Sequence, residues 1–429
     1  MACPRVTIVG HSFAVGVAYS CPVLDPARTV GELQELHALT GDAEGAQRVC
    51  WTETWVLARS WFREKLEALP VQVETDEAGN LWGTLPGDSE RAVLIGGHLD
   101  SVSNGGWLDG CLNVLAGLEV LRRIAGEGRP KATVRLVDWA DEEGFRFGRS
   151  LFGSSAVSGS LVPSEFRHLR DVEGASLPDV LRQHGVDLDR VLEARRQLAN
   201  AAAYLELHIE QGPVLERLGV PLAVVLGTYG VERHIVRFRG QRAHAGATPM
   251  DMRRDPVAAA ARFLLEGRRI ANEAESVTTV GTISAPGGIV TAVAAVCELS
   301  FDQRNLDDAA LQAMVADAKR ASERIAAEEG VEVEWAVQWQ IPAQPFHPEL
   351  VAFAEAAIRD TAGSVHRIPS GALHDAAEMA SAGIPTVMVF VQSLAGLSHT
   401  REEDTRPEDL EASVRALDRL VSKTIDWVG

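Results

Sequence analysis

Apolar and polar positions follow two rhythms along this chain. Helical spacing, with apolar residues recurring every three to four positions, runs through residues 29–39, 51–69 and 111–125. Residues 71–83 read as a pair of strands folded about the turn Glu77-Ala78-Gly79-Asn80. Two short, largely apolar runs, 92–95 and 132–139, fit strands of a buried, parallel-type sheet. Each ends in charge: the first breaks at Gly96-Gly97 and delivers His98 and Asp100, and the second runs into Asp141-Glu142-Glu143. In open α/β sheets the carboxyl ends of the strands are where ligands bind. A Gly/Ser-rich passage, 148–160, and a polar helical stretch, 177–200, lead to Tyr-Leu-Glu-Leu-His-Ile-Glu-Gln-Gly at 204–212.

From residue 231 the rhythm changes. Residues 232–240 alternate as a strand, 256–275 are helical, 278–285 and 291–302 are strands, 307–329 are helical and 331–341 form a strand. That order, β-α-β-β-α-β, is ferredoxin-like. The α/β pattern then resumes with a helix at 349–361, a strand at 386–391 and a helix at 407–427. The expected organisation is an α/β domain made of 1–228 and 342–429, with an α+β lid domain, 229–341, inserted into it.

Composition narrows the function. A chain of 429 residues is long enough for two domains. Its formal charge of -19 argues against a nucleic-acid or anionic-membrane surface. Five cysteines, an odd number and scattered, make no disulfide framework and point to a reducing, cytoplasmic setting. Residues 5–24 are mildly apolar, but His11 and Ser12 interrupt them and a charged leading segment is nearly absent. They are expected to form a leader or a first strand rather than a signal peptide. No run has the length of a transmembrane helix.

Three histidines and three carboxylates fall at predicted strand ends or in adjacent loops: His98, Asp109, Glu142, Glu143, His208 and His399. Any one of them alone reads as a satisfied buried histidine or a solvated helix start. Six in one topological position read as one site. His98-x-Asp100 suggests a ligating imidazole held by a carboxylate behind it, with Asp109 as a further ligand. Imidazole and carboxylate without thiolate suit zinc, manganese or another borderline divalent ion. Of two adjacent glutamates, one can ligate while the other takes a proton from water.

The chain resembles the M20-type metal-dependent amidohydrolases of the hydantoinase/carbamoylase kind, which include N-carbamoyl-L-amino acid hydrolases, β-ureidopropionases and allantoate amidohydrolases. The stretches that carry the resemblance are Gly-Gly-His98-Leu-Asp100-Ser-Val, Asp109-Gly110, Glu142-Glu143-Gly-Phe-Arg-Phe, His208-Ile-Glu-Gln211-Gly-Pro, Gln241-Arg-Ala-His244-Ala-Gly-Ala-Thr-Pro-Met, Ser370-Gly-Ala-Leu-His374-Asp-Ala and Leu397-Ser-His399-Thr. They occur in order from about residue 29 to the end. The resemblance implies a metallo-exopeptidase-like catalytic domain and two divalent ions per chain, zinc or else manganese, cobalt or nickel. Asp109 would bridge the ions, His98 and His208 would hold one, and Glu143 and His399 the other. Glu142 would be the general base, and Asp100 would orient His98.

On the substrate side the resemblance implies that Gln211 contacts an amide or carboxylate and that His374 helps to hold substrate. Arg304 would clamp a carboxylate and His244 would stabilise an oxyanion. Both sit on the lid and would act on closure or from the partner subunit of a homodimer made through that domain. Thr291 stands where relatives carry a substrate-binding asparagine, so a hydroxyl replaces an amide that donates and accepts at once. Asn305 likewise departs from the family's Asp-x-Arg-His, here Asp302-Gln-Arg304-Asn305. The expected activity is hydrolysis of a linear C-N bond in a small carboxylate-bearing molecule, foremost the carbamoyl group of an N-carbamoyl amino acid. Allantoate-type or other N-acyl substrates, an M20 metallopeptidase and a non-catalytic scaffold are the alternatives.

Overall fold

The computed structural model describes residues 23–429, so the reading of residues 5–24 lies largely outside it. Helices α1 (Pro26–Thr40) and α2 (Glu53–Glu67) open the fold. Asp25 and Thr52 cap them, each side chain accepting from a main-chain N–H of the first turn. The strands of the larger sheet are β1 (Gln72–Thr75), β2 (Leu81–Leu85), β3 (Ser89–His98), β4 (Ala132–Trp139), β5 (Ala201–Ile209) and β6 (Leu222–Thr228). Helix α3 (Cys111–Glu127) links β3 to β4, and α4 (Phe152–Ser158) follows β4.

The second sheet uses β7 (Gly230–Arg239), β8 (Val277–Thr279), β9 (Val296–Asn305) and β10 (Glu332–Ile341), with helices α5 (Pro256–Glu273) and α6 (Asp308–Glu329) between them. The chain then re-enters the first sheet through Gln344–Pro345. It continues as α7 (Pro348–Ala362), β11 (His366–Ser370), α8 (Asp375–Ser381), β12 (Thr386–Val391) and α9 (Pro407–Val428).

The larger sheet has nine strands, and its main path runs from Gln344–Pro345 through β6, β12, β5, β3, β4 and β2 to β1, with β11 also paired to β6. Its centre, β12-β5-β3-β4, is parallel, and both flanks turn antiparallel. Burial on both faces explains the apolar runs. Val93 and Ile95 face a core shared with α3, α7 and α9, while Leu94 between them faces Trp82, Trp139 and Phe390 on the other side. The parallel strands all deliver their carboxyl ends to one edge.

The second sheet is antiparallel, in the order β8-β9-β7-β10. It packs one face on α5 and α6 around Phe238, Phe263, Phe301 and Ile325, a core separate from the other two. Exit and re-entry lie side by side, because Gln344 pairs with Thr228.

Four expectations change. The strand read over 278–285 forms only at Val277–Thr279 and Ile283–Ser284, both paired with β9. The polar helix of 177–200 is interrupted: it forms Leu177–Gln183 and a 3-10 segment, Val191–Leu198, because Gly185 takes a left-handed φ of 78°. The strand read over 291–302 divides into Ala292–Val293, which pairs with Ala243–His244, and β9. Strands β6 and β11 had no counterpart in the reading, although 222–226 is an apolar run of the kind a doubly covered strand shows.

Candidate metal centre

The end of β3 presents His98, and α3 begins two residues after Asp109. Gly110 makes this approach feasible: its φ is 65°, and a Cβ there would collide with the His98 imidazole. Strand β4 ends at Trp139, after which Asp141 adopts a left-handed φ of 58°, with its carboxylate held by the Trp51 indole N–H at 2.8 Å. This bend aims Glu142 and Glu143 at the same edge. His208 lies near the end of β5, and His399 stands in the loop after β12 with φ 57°. Left-handed, non-glycine residues at such a junction hold local strain that the surrounding packing must fix.

The geometry converges on Asp109. One oxygen, Oδ1, lies 3.1 Å from His208 Nε2 and 3.9 Å from His98 Nε2. The other, Oδ2, lies 3.2 Å from His399 Nε2, and that nitrogen is 3.3 Å from Glu143. Two trios result, His98/Asp109/His208 and Asp109/Glu143/His399, each offering ligand atoms within 4.8 Å of one another. Their donors are imidazole nitrogens and carboxylate oxygens, mostly buried, a set that fits borderline divalent ions. The remaining imidazole nitrogens are oriented by main-chain carbonyls: His98 Nδ1 meets Asp100 O at 3.0 Å, and His208 Nδ1 meets Ile209 O at 2.9 Å.

Asp100 therefore reaches His98 mainly through its carbonyl, its carboxylate being 3.7 Å away. That carboxylate instead accepts the main-chain N–H groups of Glu142 and Glu143 at 3.3 and 3.2 Å. Glu142 is buried, with Oε2 3.6 Å from His98 Nε2.

Electrostatics follow from burial and crowding. Burial, then the charges of Asp375 and Glu143, drives the Glu142 carboxyl well above its usual range. Burial, then Asp109, pushes Glu143 up to about 8. Asp109 goes the other way: burial opposes its ionisation, but hydrogen bonds from His208 and His399 outweigh it and hold the carboxyl well below the usual range. Burial takes His98 down to about 4.

The substrate-side residues divide into two groups. Gln211 is at the centre, its amide nitrogen 3.0 Å from both Asp109 Oδ2 and Ser398 Oγ. His374 is buried, hydrogen bonds Ser370 Oγ at 3.0 Å and lies with its ring centroid 4.4 Å from that of His208, tilted by 58°. Arg304, on β9, donates to Asp302 at 2.8 Å and to the Gly371 carbonyl at 2.6 Å, in the loop that carries His374. His244 is exposed and accepts from the N–H groups of Gly246 and Ala247. Its strand pairs with Ala292, beside Thr291. Among the described residues, His244 and Thr291 form no hydrogen bond with the two trios. Asn305 directs its amide to Met314 Sδ at 3.7 Å, away from the centre.

The sequence reading missed Glu206 and Glu403 and placed Asp375 beside His374 near the centre without a role; all three are buried. Glu206 takes the Tyr204 hydroxyl at 2.8 Å and the Ala376 N–H at 2.9 Å. Glu206 had one signal, its position two residues before His208 on the same strand face.

Two histidine/carboxylate trios sharing one aspartate at the carboxyl edge of a parallel sheet could hold metal ions of the kind that hydrolases use. The chain belongs to peptidase family M20/M25/M40, whose model matches residues 94–423. It is 38% identical over 386 residues to an N-carbamoyl-L-amino acid amidohydrolase of Geobacillus stearothermophilus, covering 87% of this chain and 92% of that protein. It is 31% identical to an allantoate amidohydrolase of Bacillus subtilis, covering 88% and 92%. The structure is similar to that of a hydantoinase/carbamoylase family amidase from Burkholderia ambifaria, with a TM-score of 0.84, 31% identity and coverage of 96% and 99%.

Proposed function

We propose that this protein is a metal-dependent amidohydrolase that cleaves the carbamoyl group of an N-carbamoyl amino acid. The observation that carries the proposal is Asp109, whose two oxygens face two separate ligand trios. Two divalent ions, zinc or else manganese, cobalt or nickel, would be held by His98, Asp109 and His208 and by Asp109, Glu143 and His399. When bound, such ions polarise a carbonyl and lower the pKa of water.

The protein's own groups do the rest. Glu142, buried beside His98, accepts the proton of the attacking water and returns it to the leaving nitrogen. Asp100 fixes the main chain of Glu142 and Glu143 and so sets their aim. The second sheet with its helices acts as a lid that closes over the edge, and in a homodimer it presents His244 and Thr291 to the partner's centre. Arg304 takes the substrate carboxylate, with Gln211 and His374 lining the inner side. The products are ammonia, carbon dioxide and the amino acid. The three described cysteines, Cys50, Cys111 and Cys297, are buried free thiols, in keeping with a reducing compartment such as the cytoplasm.

Metal analysis combined with ammonia release from a panel of N-carbamoyl amino acids tests the reading. Two ions per chain and turnover of at least one member are expected. Turnover of allantoate alone, or of dipeptides alone, would replace the substrate while keeping the centre. A protein that binds no metal would overturn the proposal.

A further inference from the structure

Glu403 lies in the segment between β12 and α9, 294 residues along the chain from Asp109, and it is 1% exposed. Such a carboxylate is stable in the interior only if its oxygens are matched by donors. One oxygen, Oε1, accepts two consecutive main-chain N–H groups, Leu108 at 3.1 Å and Asp109 at 3.0 Å. The other, Oε2, lies 3.2 Å from Ser398 Oγ, and the same hydroxyl lies 3.2 Å from Asp109 Oδ2. Glu403 thus grips the main chain of Asp109 directly, while its Oε2 and Asp109 Oδ2 share the single Ser398 hydroxyl proton, one accepting it at a time. The pocket for this carboxylate is shaped for it: a Cβ on Gly106 would run into the Glu403 side chain. Beside the contacts of Ser398 and His399 with the Asp109 carboxylate, Glu403 is the side chain that ties the main chain of the Asp109 loop to the loop that carries His399.

We propose that Glu403 is the positioning residue for Asp109, fixing the carboxylate midway between the two trios so that both ions can use it. The inference rests on the metal-centre reading above. Outer partners that orient a metal ligand are typically worth ~10–100-fold in metal affinity, and Glu403 orients the one ligand both sites share. Its loss therefore weakens both ions together.

The test compares wild type, Glu403→Ala, Glu403→Gln and Gly106→Ala. Each protein is stripped of metal and titrated with zinc against a chromophoric chelator, and its melting temperature is recorded with and without zinc. Glu403→Ala is expected to bind zinc ~10–100-fold more weakly and to lose most of the rise in melting temperature that zinc gives wild type. Glu403→Gln keeps an acceptor for both N–H groups and should recover much of the affinity. A merely structural residue would lower the melting temperature equally with and without zinc and leave the affinity alone.

Wild-type affinity in Glu403→Ala overturns the proposal. Should that variant fail to fold, Gly106→Ala, which displaces the carboxylate without removing it, must show the same weakening, and unchanged affinity there overturns it equally. Failure of wild type itself to bind zinc would instead strike the metal-centre reading and take this inference with it.

Discussion

The edge of the larger sheet and the open face of the second sheet both gather charge, but in opposite environments. At the edge, Asp100, Asp109, Glu142, His98 and His208 are all buried, and His98 lies within 3.9 Å of Asp100, Asp109 and Glu142. On the second sheet, Arg237 pairs with Glu298 and Glu334, and Arg233 and Arg304 share the buried Asp302; the arginines and glutamates remain partly open to water. Burying several carboxylates together is expensive unless each gains partners. Exposed pairs cost and contribute little. The first region's groups are therefore held by buried partners, as the proposed metal centre requires. The second holds solvent-screened pairs that can exchange partners, as the proposed lid would require.

The sharpest way to break this contrast is at the shared ligand. Asp109→Ala is expected to abolish activity and lower the metal content at both trios, measured by elemental analysis. Two ions per chain in that variant would remove the bridge. Next in size, Glu142→Gln should retain metal while kcat falls by ~10²–10⁴-fold, since a carboxamide accepts no proton. Near-normal kcat would take Glu142 out of the base role.

On the second sheet, Arg304→Lys is expected to lower kcat/KM by ~10–100-fold, the size of one lost charge-assisted hydrogen bond. Equal activity on every carboxylate substrate would show that Arg304 is not the clamp.

Proton linkage gives a subtler test. Against its burial, His208 is held up at about 9 by Asp109, whose hydrogen bond holds the half-exposed His399 up at about 9 as well in the metal-free protein. Their ordinary value is 6.5, so this pairing stabilises the metal-free fold fully below pH 6.5 and is lost as pH rises through about 9. Ligation needs both rings unprotonated. Metal affinity should thus increase from pH 6.5 to about 9, with proton release visible by calorimetry in buffers of different ionisation enthalpy. Flat affinity across that interval would contradict the pairing. The smallest effect belongs to Arg237→Ala, which should leave the melting temperature nearly unchanged because its partners, Glu298 and Glu334, lie on the open face.

Much of this was legible in the residue order. Apolar runs covered on both faces marked β3, β4 and β12, helical spacing marked α3, α6 and α9, and the ferredoxin-like succession of 232–341 corresponds to the second sheet. The six charged residues at strand ends could be read together because parallel strands share one carboxyl edge, so topology alone groups them. Sequence could not place β6 beside β12, since pairing of strands so far apart in the chain has no local signature. Nor could it reveal that the Asp100 carboxylate serves Glu142 and Glu143, or that Glu403 holds Asp109. Periodicity reports which face a side chain occupies, and local motifs report chemistry within a few residues. Hydrogen bonds between segments 42 to 294 residues apart exist only once the chain has closed on itself, and those contacts decided how this centre is held.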